Sequence, residues 1–441
     1  MSIKTYSSNT SKKQLFLLSI PVFFSNLAIP FVGIVDTGLM GNLGETRFLA
    51  ATSVATSIMT MIIWSFGFLR MGTVGIVSQL FARSDYREIS RTLLRNFLIA
   101  IFISIIIILF KPFIIQLSKE YFTTSFETEE LIETYISVRV ISVPAELTVY
   151  ILIGFFLGMQ KTNISSAFVI ILSVLNIIFS TLFVLSFELN IFGVALGTLI
   201  ASYVTAILFA LFTYNYISQK FKIVPSFQRL IIPSKIYNLI AINFDIFIRT
   251  LFLTFSFFWI TYLGSKLGED YLAINTILIQ FIFISAFFLD AYAFTTEGII
   301  GYTIGKRNKK SFLLVVRNSL QLSFFTALAI SAFYIFFYKE IINIITDVEI
   351  LRFMSYKHSI WIMLIPPVAA FCYQLDGIFI GASQTKELRN GMMISVASFI
   401  IISIYLTKYL GNHGLWFSLF LFMIFRSLTL KLFINNILKK F

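Results

Sequence analysis

Cysteine, histidine and charge are all scarce in this 441-residue sequence, and each shortage closes a class of function. The one cysteine, Cys372, sits in an apolar segment, which leaves no intrachain disulfide and no Cys-based metal site. The two histidines, His358 and His413, are far apart and expected in outer regions, as neither a metal pair nor a general base. There is no Gly-x-Ser-x-Gly or paired aspartyl motif and no GxxxxGK[ST] phosphate loop, so neither an enzyme nor an ATP-driven machine is expected. No cofactor is called for. The opening MSIKTYSSNTSKKQ is polar and lacks a small-residue cleavage site before the first long apolar run, so no removable signal peptide is expected.

Only 12% of residues are charged and 58% are hydrophobic. Mean hydropathy is +0.89. So apolar a chain has too little polar surface to face water. Apolar runs of about 20 residues recur along it, as in a polytopic helical membrane protein. Twelve spans are expected, from roughly 15–40 through 48–81, 350–381 and 389–408 to 412–437. The net charge of +13 does not point to nucleic acid, because its distribution is that of a topology signal. With the N-terminus inside, basic residues crowd the cytoplasmic segments: Lys12 and Lys13, Arg83 to Arg95, Lys220 to Lys235, Lys306 to Arg317. Acids dominate the outer segments. Both termini are therefore expected in the cytoplasm, and the partner implied is a lipid bilayer.

Ile217 to Ser234, basic and carrying Pro225 and Pro233, reads as a linker between two halves. The expected division is 1–217, a linker over 218–234, and 235–441, with six helices in each half. Gly44-Glu45 matches Gly268-Glu269, Gly75 matches Gly298, Arg95-Asn96 matches Arg317-Asn318, and Pro144 matches Pro367. Gly154 matches Gly377, Gly158 matches Gly381, and Thr162 matches Thr385, all at offsets of 222 to 224 residues. A constant offset over several spans is a tandem duplication, and parallel six-helix repeats with a site between them are a transporter signature. The fold class is all-α, two six-helix bundles around a central cleft.

Charges at membrane depth cost about 2.5–3.5 kcal/mol each and mark function by default. They are Asp36, Glu146, Asp245, Asp290, Glu297 and Asp376, against Arg70, Arg139, Arg249 and Arg426. Asp36 lies in the first span, where Asn26, Pro30, Gly33, Asp36 and Gly41 form a small and polar stripe at helical spacing. Pro21 and Pro30 each remove a backbone donor and favour a bend. A bendable helix with one titratable acid suits a proton- or cation-coupled carrier; the bland alternative is an acid tied to a neighbouring helix. Asp245 and Arg249, at i,i+4, are expected to pair within their helix. Asp290 and Asp376 show no local partner, and Arg70 is expected to neutralise one of them across the halves. Asp290 and Glu297, seven apart, share a helix face. Structural or lid roles are expected for Glu146 and Glu297. A minority of the abundant Phe and Met are expected to line a cavity for flat, greasy cations.

VDTGLMGNLG (35–44), FLRMGTVGIVSQLFA (68–82), NFDIFIRT (243–250), LDGIFIGASQTKELRNGM (375–392) and LGNHGLW (410–416) resemble the MATE multidrug-efflux family, in its DinF-like branch. The resemblance runs over nearly the whole chain in the expected order. It implies antiport, with two lobes rocking about a cleft to export organic cations or amphiphiles as protons or sodium ions enter. It also implies that Asp36 is the central coupling acid, with Asn176 and Thr198 as further polar positions. A second acidic position of the family reads Ser180 here. Its loss weakens a sodium site, since a hard cation wants several oxygens and compensating charge, and points to the proton.

The expectation is a monomeric secondary active exporter in the cytoplasmic membrane of a bacterium. The alternatives are a lipid-linked oligosaccharide flippase of related fold and, from another class, a cation channel.

Overall fold

The computed structural model describes residues 11–43, 45–122, 125–223 and 230–441. Gly44 of the repeat, Lys4 of the basic N-terminus, and Pro225 and Arg229 of the linker lie outside them. The described residues are helical and contain no strand. Eleven helical stretches are long and apolar enough to span a bilayer, and the last runs 54 residues across a break at Gly411, which gives twelve crossings.

The first half of the chain forms α1 (Lys12–Gly41), α2 (Thr46–Ser65), α3 (Phe68–Ala82), α4 (Tyr86–Leu109), α5 (Lys111–Phe122), α6 (Phe126–Gly158), α7 (Thr162–Thr181) and α8 (Asn190–Phe221). The second half forms α9 (Pro233–Leu267), α10 (Glu269–Gly305), α11 (Lys309–Ile345), α12 (Glu349–His358), α13 (Ile360–Gly381) and α14 (Thr385–Leu438). Two expected spans are subdivided. The run 48–81 is broken at Phe66–Gly67 into α2 and α3, and the run 350–381 begins with α12, a separate ten-residue helix carrying Arg352, Lys357 and His358.

Two compact units result. One comprises Phe24–Ile240; the other comprises Ala241–Phe441 with the described part of Met1–Phe23, so the division falls inside α1 as well as near the start of α9. In the first unit α6 is the hub, packed by α2, α3, α4, α7 and α8. In the second α13 takes that place, against α10, α11 and α14. Both hubs carry internal proline, Pro144 in α6 and Pro366 with Pro367 in α13.

The duplication is physical as well as textual. A methyl group on Gly154 would meet Thr73 Cβ of α3 at 2.9 Å, and one on Gly377 would meet the Ala293 carbonyl of α10 at 2.8 Å. Gly158 and Gly381, one turn on, abut Val74 and Glu297 in the same way. Small residues here let backbones approach, as in membrane helix packing generally. Helix starts repeat too: Asp85 caps α4 through the Glu88 amide at 3.1 Å, and Asn308 caps α11 through the Ser311 amide at 3.0 Å. The preceding residues, Ser84 and Arg307, both take left-handed φ, at 60° and 52°.

Large apolar side chains such as Phe102, Leu109, Phe258, Phe336 and Ile401 stand exposed along the spans. In water such a surface would drive association; in hydrocarbon it matches its solvent.

Candidate functional site

Asp36 lies five residues before the end of α1, in the first unit, and is 8% exposed. Its Oδ1 is buried without a hydrogen-bond partner. Ser180, on the last turn of α7, is within hydrogen-bonding reach of the carboxylate. From Ser180 the contacts continue as a chain. Its hydroxyl donates to Asn176 Oδ1 at 3.3 Å, Asn176 Nδ2 donates to Thr198 Oγ1 of α8 at 2.9 Å, and Thr198 donates to the Val194 carbonyl at 3.1 Å. The four residues expected to carry ion coupling are thus brought together.

Local chain geometry explains the meeting. Asn176 and Ser180 are one helical turn apart, so both project from the same face of α7. Gly197, beside Thr198, lets α8 press against Ser180: a methyl group there would lie 2.7 Å from Ser180 Oγ. Directly beyond, Leu182–Ser186 form a π-helical turn, a distortion often found beside functional positions.

A charged cluster on α6 was not read from the sequence as a unit. Arg139 is buried and its Nη1 donates to Glu146 and to Ser142, while Ser142 Oγ donates to Glu146 Oε1 at 2.6 Å. Tyr135, within reach of the Arg139 guanidinium, accepts from Thr56 of α2 at 3.0 Å. The positive charge of Arg139 acts on Asp36. The i,i+7 spacing of Arg139 and Glu146 was the available signal.

Asn26 is buried in α1 one residue beyond Ser25, whose hydroxyl donates to Ser166 of α7 at 3.3 Å. Arg70 is buried on α3, with its backbone carbonyl against Gly154 of α6. Pro21 and Pro30 both lie within α1, which is continuous from Lys12 to Gly41.

The second unit corrects one expected pairing and supplies partners from distant parts of the chain. Asp245 and Arg249 do not pair with each other. Asp245 receives Arg389 Nη1 at 2.6 Å and Thr385 Oγ1 at 3.0 Å, both from α14. Arg249 instead donates to Asp376, and Arg426 Nη2 reaches the same Oδ2 at 2.7 Å. Two guanidiniums of its own unit therefore clamp Asp376. Arg426 further sits 5.7 Å from the Tyr373 ring centre and 5.5 Å from that of Phe422. An i,i+4 pair offers only a few tenths of a kcal/mol, so Arg249 goes to the better-buried carboxylate of Asp376, and Asp245 is left to the more exposed Arg389. Asp290 is half-buried and Glu297 fully buried on α10.

The histidines, far apart in sequence, are neighbours. The rings of His358 and His413 stack at 4.2 Å, His358 Nδ1 meets the Met354 carbonyl at 2.8 Å, and Trp361 Nε1 donates to His413 Nδ1 at 3.1 Å. Burial pushes the His358 imidazole below its ordinary value. Among the described residues no three His, Cys, Asp or Glu side chains come together as a metal site.

Comparison with known proteins follows the same lines. The family model described as MatE matches the chain twice, over residues 21–182 and 246–408, which is the tandem repeat seen from outside. DNA damage-inducible protein F of Escherichia coli is 31% identical over 421 residues, covering 96% of this chain and 91% of that one. Multidrug export protein MepA of Staphylococcus saprophyticus is 25% identical over 202 residues, 45% of this chain and 44% of its own. Among solved structures, MATE in its straight conformation superposes with a TM-score of 0.87 over 97% of both chains at 18% identity. An outward-facing multidrug resistance MATE family transporter of the MOP superfamily gives 0.86 over the same shares at 17%. At such identities the likeness is one of fold.

Proposed function

Because the chain belongs to the MatE family of multi-pass membrane transporters, we propose that it is a secondary active exporter of small organic cations or amphiphiles, driven by proton entry at Asp36. The observation that carries this reading is the buried, unpartnered Oδ1 of Asp36 at the head of the Ser180–Asn176–Thr198 chain. A carboxylate kept from water, with an open oxygen, is a place for a proton. Sodium is served less well. Asn176 Oδ1 already accepts from Ser180, and Thr198 both accepts from Asn176 and donates to Val194, so a metal ion would have to break these bonds to gather its oxygens.

Two acids of the second unit support the same assignment by being occupied: Asp376 is held by Arg249 and Arg426, and Asp245 by Arg389. Protonation neutralises Asp36 and releases a cation held near it, with the site then opening to the other side of the membrane. One proton entering down the membrane potential supplies about 2.3 kcal/mol per 100 mV, enough for modest concentrative export. The printed name of MepA, a multidrug export protein, supports efflux rather than uptake. The basic residues flanking the spans support a topology with both termini in the cytoplasm, and the Escherichia coli relative supports a bacterial inner membrane. A monomer is sufficient for this mechanism, since the whole Asp36 chain of contacts lies in one polypeptide.

The test is efflux of ethidium from proteoliposomes under separately imposed proton and sodium gradients, for wild type and Asp36→Asn. Export that follows the proton gradient and is lost in the variant is expected. Export that follows sodium, or that persists in Asp36→Asn, would overturn the assignment. A cation current without gradient-driven accumulation would make the protein a channel.

A further inference from the structure

We propose that His358, His413 and Trp361 form a proton-sensitive latch at one end of the second unit, tying α12, α13 and α14 together while both imidazoles are neutral and freeing α12 when they are protonated. The topology above makes that end the outer one, so the latch answers to the acidity of the exterior. It does not depend on Asp36.

Four elements meet here. α12 ends on the buried His358, and α13 begins beside it with Trp361. α14 supplies His413 two residues past its break at Gly411, and α10 sets Tyr271 edge-on to His358 at 6.1 Å. The two imidazoles lie nearly parallel, their planes 20° apart and their centres 4.2 Å apart. The hydrogen bonds fix where the protons sit. A carbonyl only accepts, so the 2.8 Å contact with Met354 puts a hydrogen on His358 Nδ1. An indole N–H only donates, so the 3.1 Å bond from Trp361 Nε1 needs a bare lone pair on His413 Nδ1. His413 is therefore neutral in the closed latch, and its exposure lets protons reach it from solvent.

A proton on His413 Nδ1 sets donor against donor, and the bond to Trp361 is lost. The same event places a positive charge on the face of His358. Burial first, then His413 and Lys357, hold the His358 imidazole below its ordinary range, against the opposite pull of the Met354 carbonyl. A group held down in this way contributes stability that is complete above the ordinary imidazole value of about 6.5 and is lost as pH falls below it. Other charges at this end are engaged elsewhere or exposed. Arg352 of α12 is turned to Asp347 and to the Thr346 and Asn343 carbonyls, and Lys339 of α11 lies over the Tyr338 and Tyr356 rings. Lys408 of α14, Glu340 of α11, Glu349 of α12, and Glu269 with Asp270 of α10 are exposed.

The test is thiol labelling of the full-length protein purified in detergent, where neither membrane orientation nor transport enters. Ser355 of α12 is buried and its hydroxyl has no hydrogen-bond partner, so Ser355→Cys fits the closed latch and reacts only when α12 moves away. The exposed Ser265→Cys corrects for the pH dependence of the reagent, and the native Cys372 is buried. From about pH 7.5 to about pH 5.5 the corrected rate at Ser355→Cys is expected to rise about ten-fold. Adding His413→Gln, whose side-chain oxygen accepts from Trp361 at any pH, is expected to hold the rate at its low value throughout. Adding His413→Lys, a charged donor, is expected to give the high rate at both pH values. A merely structural stack would be loosened by both substitutions alike. A rate that ignores pH, a rise that survives His413→Gln, or protection that survives His413→Lys would overturn the proposal. Should Ser355→Cys fail to fold, tryptophan fluorescence of the protein without it decides. A transition below about pH 6.5 that Trp361→Phe removes is expected, and its absence would overturn the latch. An inverted topology would change only the side of the membrane that the latch faces, and a failure of proton-driven export would leave the labelling result standing.

Discussion

Asp36 and Asp376 are both buried, and both keep an Oδ1 without a hydrogen-bond partner, yet their surroundings give them opposite tasks. Asp376 is clamped by Arg249 and Arg426, whereas among the described residues no ion pair holds Asp36, which has the neutral Ser180 within hydrogen-bonding reach. Asp376→Asn would leave two buried guanidiniums without their counter-charge, and breaking a buried pair in this way costs about 3–5 kcal/mol. Asp36→Asn removes a charge that stabilises nothing so directly. Thermal unfolding in detergent, followed by tryptophan fluorescence, is expected to show a large fall for Asp376→Asn and little change for Asp36→Asn. Equal midpoints would refute the distinction. That both acids matter was legible from their place in apolar spans. Their partners were not, because Arg249 and Arg426 reach Asp376 from 127 and 50 residues away in the chain.

At the scale of elements, the hub helices α6 and α13 are seated by glycine. Gly377 lies against the Ala293 carbonyl and Gly381 against Glu297, backbone to backbone, so an added methyl cannot be absorbed by a flexible side chain. Gly377→Ala is expected to destabilise the protein by about 1–3 kcal/mol. Gly33 of α1 has open space around it, and Gly33→Ala is expected to be tolerated, with a helix-propensity gain of about 0.8–1 kcal/mol. Paired thermal midpoints check this, and a more severe effect at Gly33 would contradict it. The repeat-related glycines were visible in the sequence as matching letters; what they touch was not. Gly411 is a different case. Its φ of 57° breaks α14, and Asn412 and Asn275 then exchange amide hydrogen bonds at 2.8 and 3.0 Å while Trp416 donates to Asn275 at 2.7 Å. Nothing in the periodicity of either segment announces that clasp.

For the whole molecule, α9 offers a direct reading of orientation. It runs 35 residues, about 52 Å, and so extends past both faces of a hydrocarbon core of about 30 Å. Ser234 and Ser265, near its two ends, are exposed, while the one native cysteine, Cys372, is buried. In cells carrying Ser234→Cys, a membrane-impermeant maleimide is expected to label only after the cytoplasmic face is opened; Ser265→Cys is expected to label from outside. The reverse pattern would invert the topology.

Composition and hydropathy by themselves determined the membrane, the helical class and the number of crossings, because a bilayer admits only backbones that satisfy their own hydrogen bonds and an apolar run of fixed length is enough to say so; matching residues at a constant offset determined the duplication. Resemblance of motifs then pointed to the family and to Asp36, Asn176, Ser180 and Thr198. Tertiary structure alone decided which charges are spoken for. Asp245 turned to Arg389 rather than Arg249, Asp376 took two arginines, His358 stacked on His413, and Arg139 was braced by Glu146. Local spacing ranks partners only along one helix. In a low-dielectric interior the pairing of charges is settled by whichever opposite group the packing brings nearest, from anywhere in the chain.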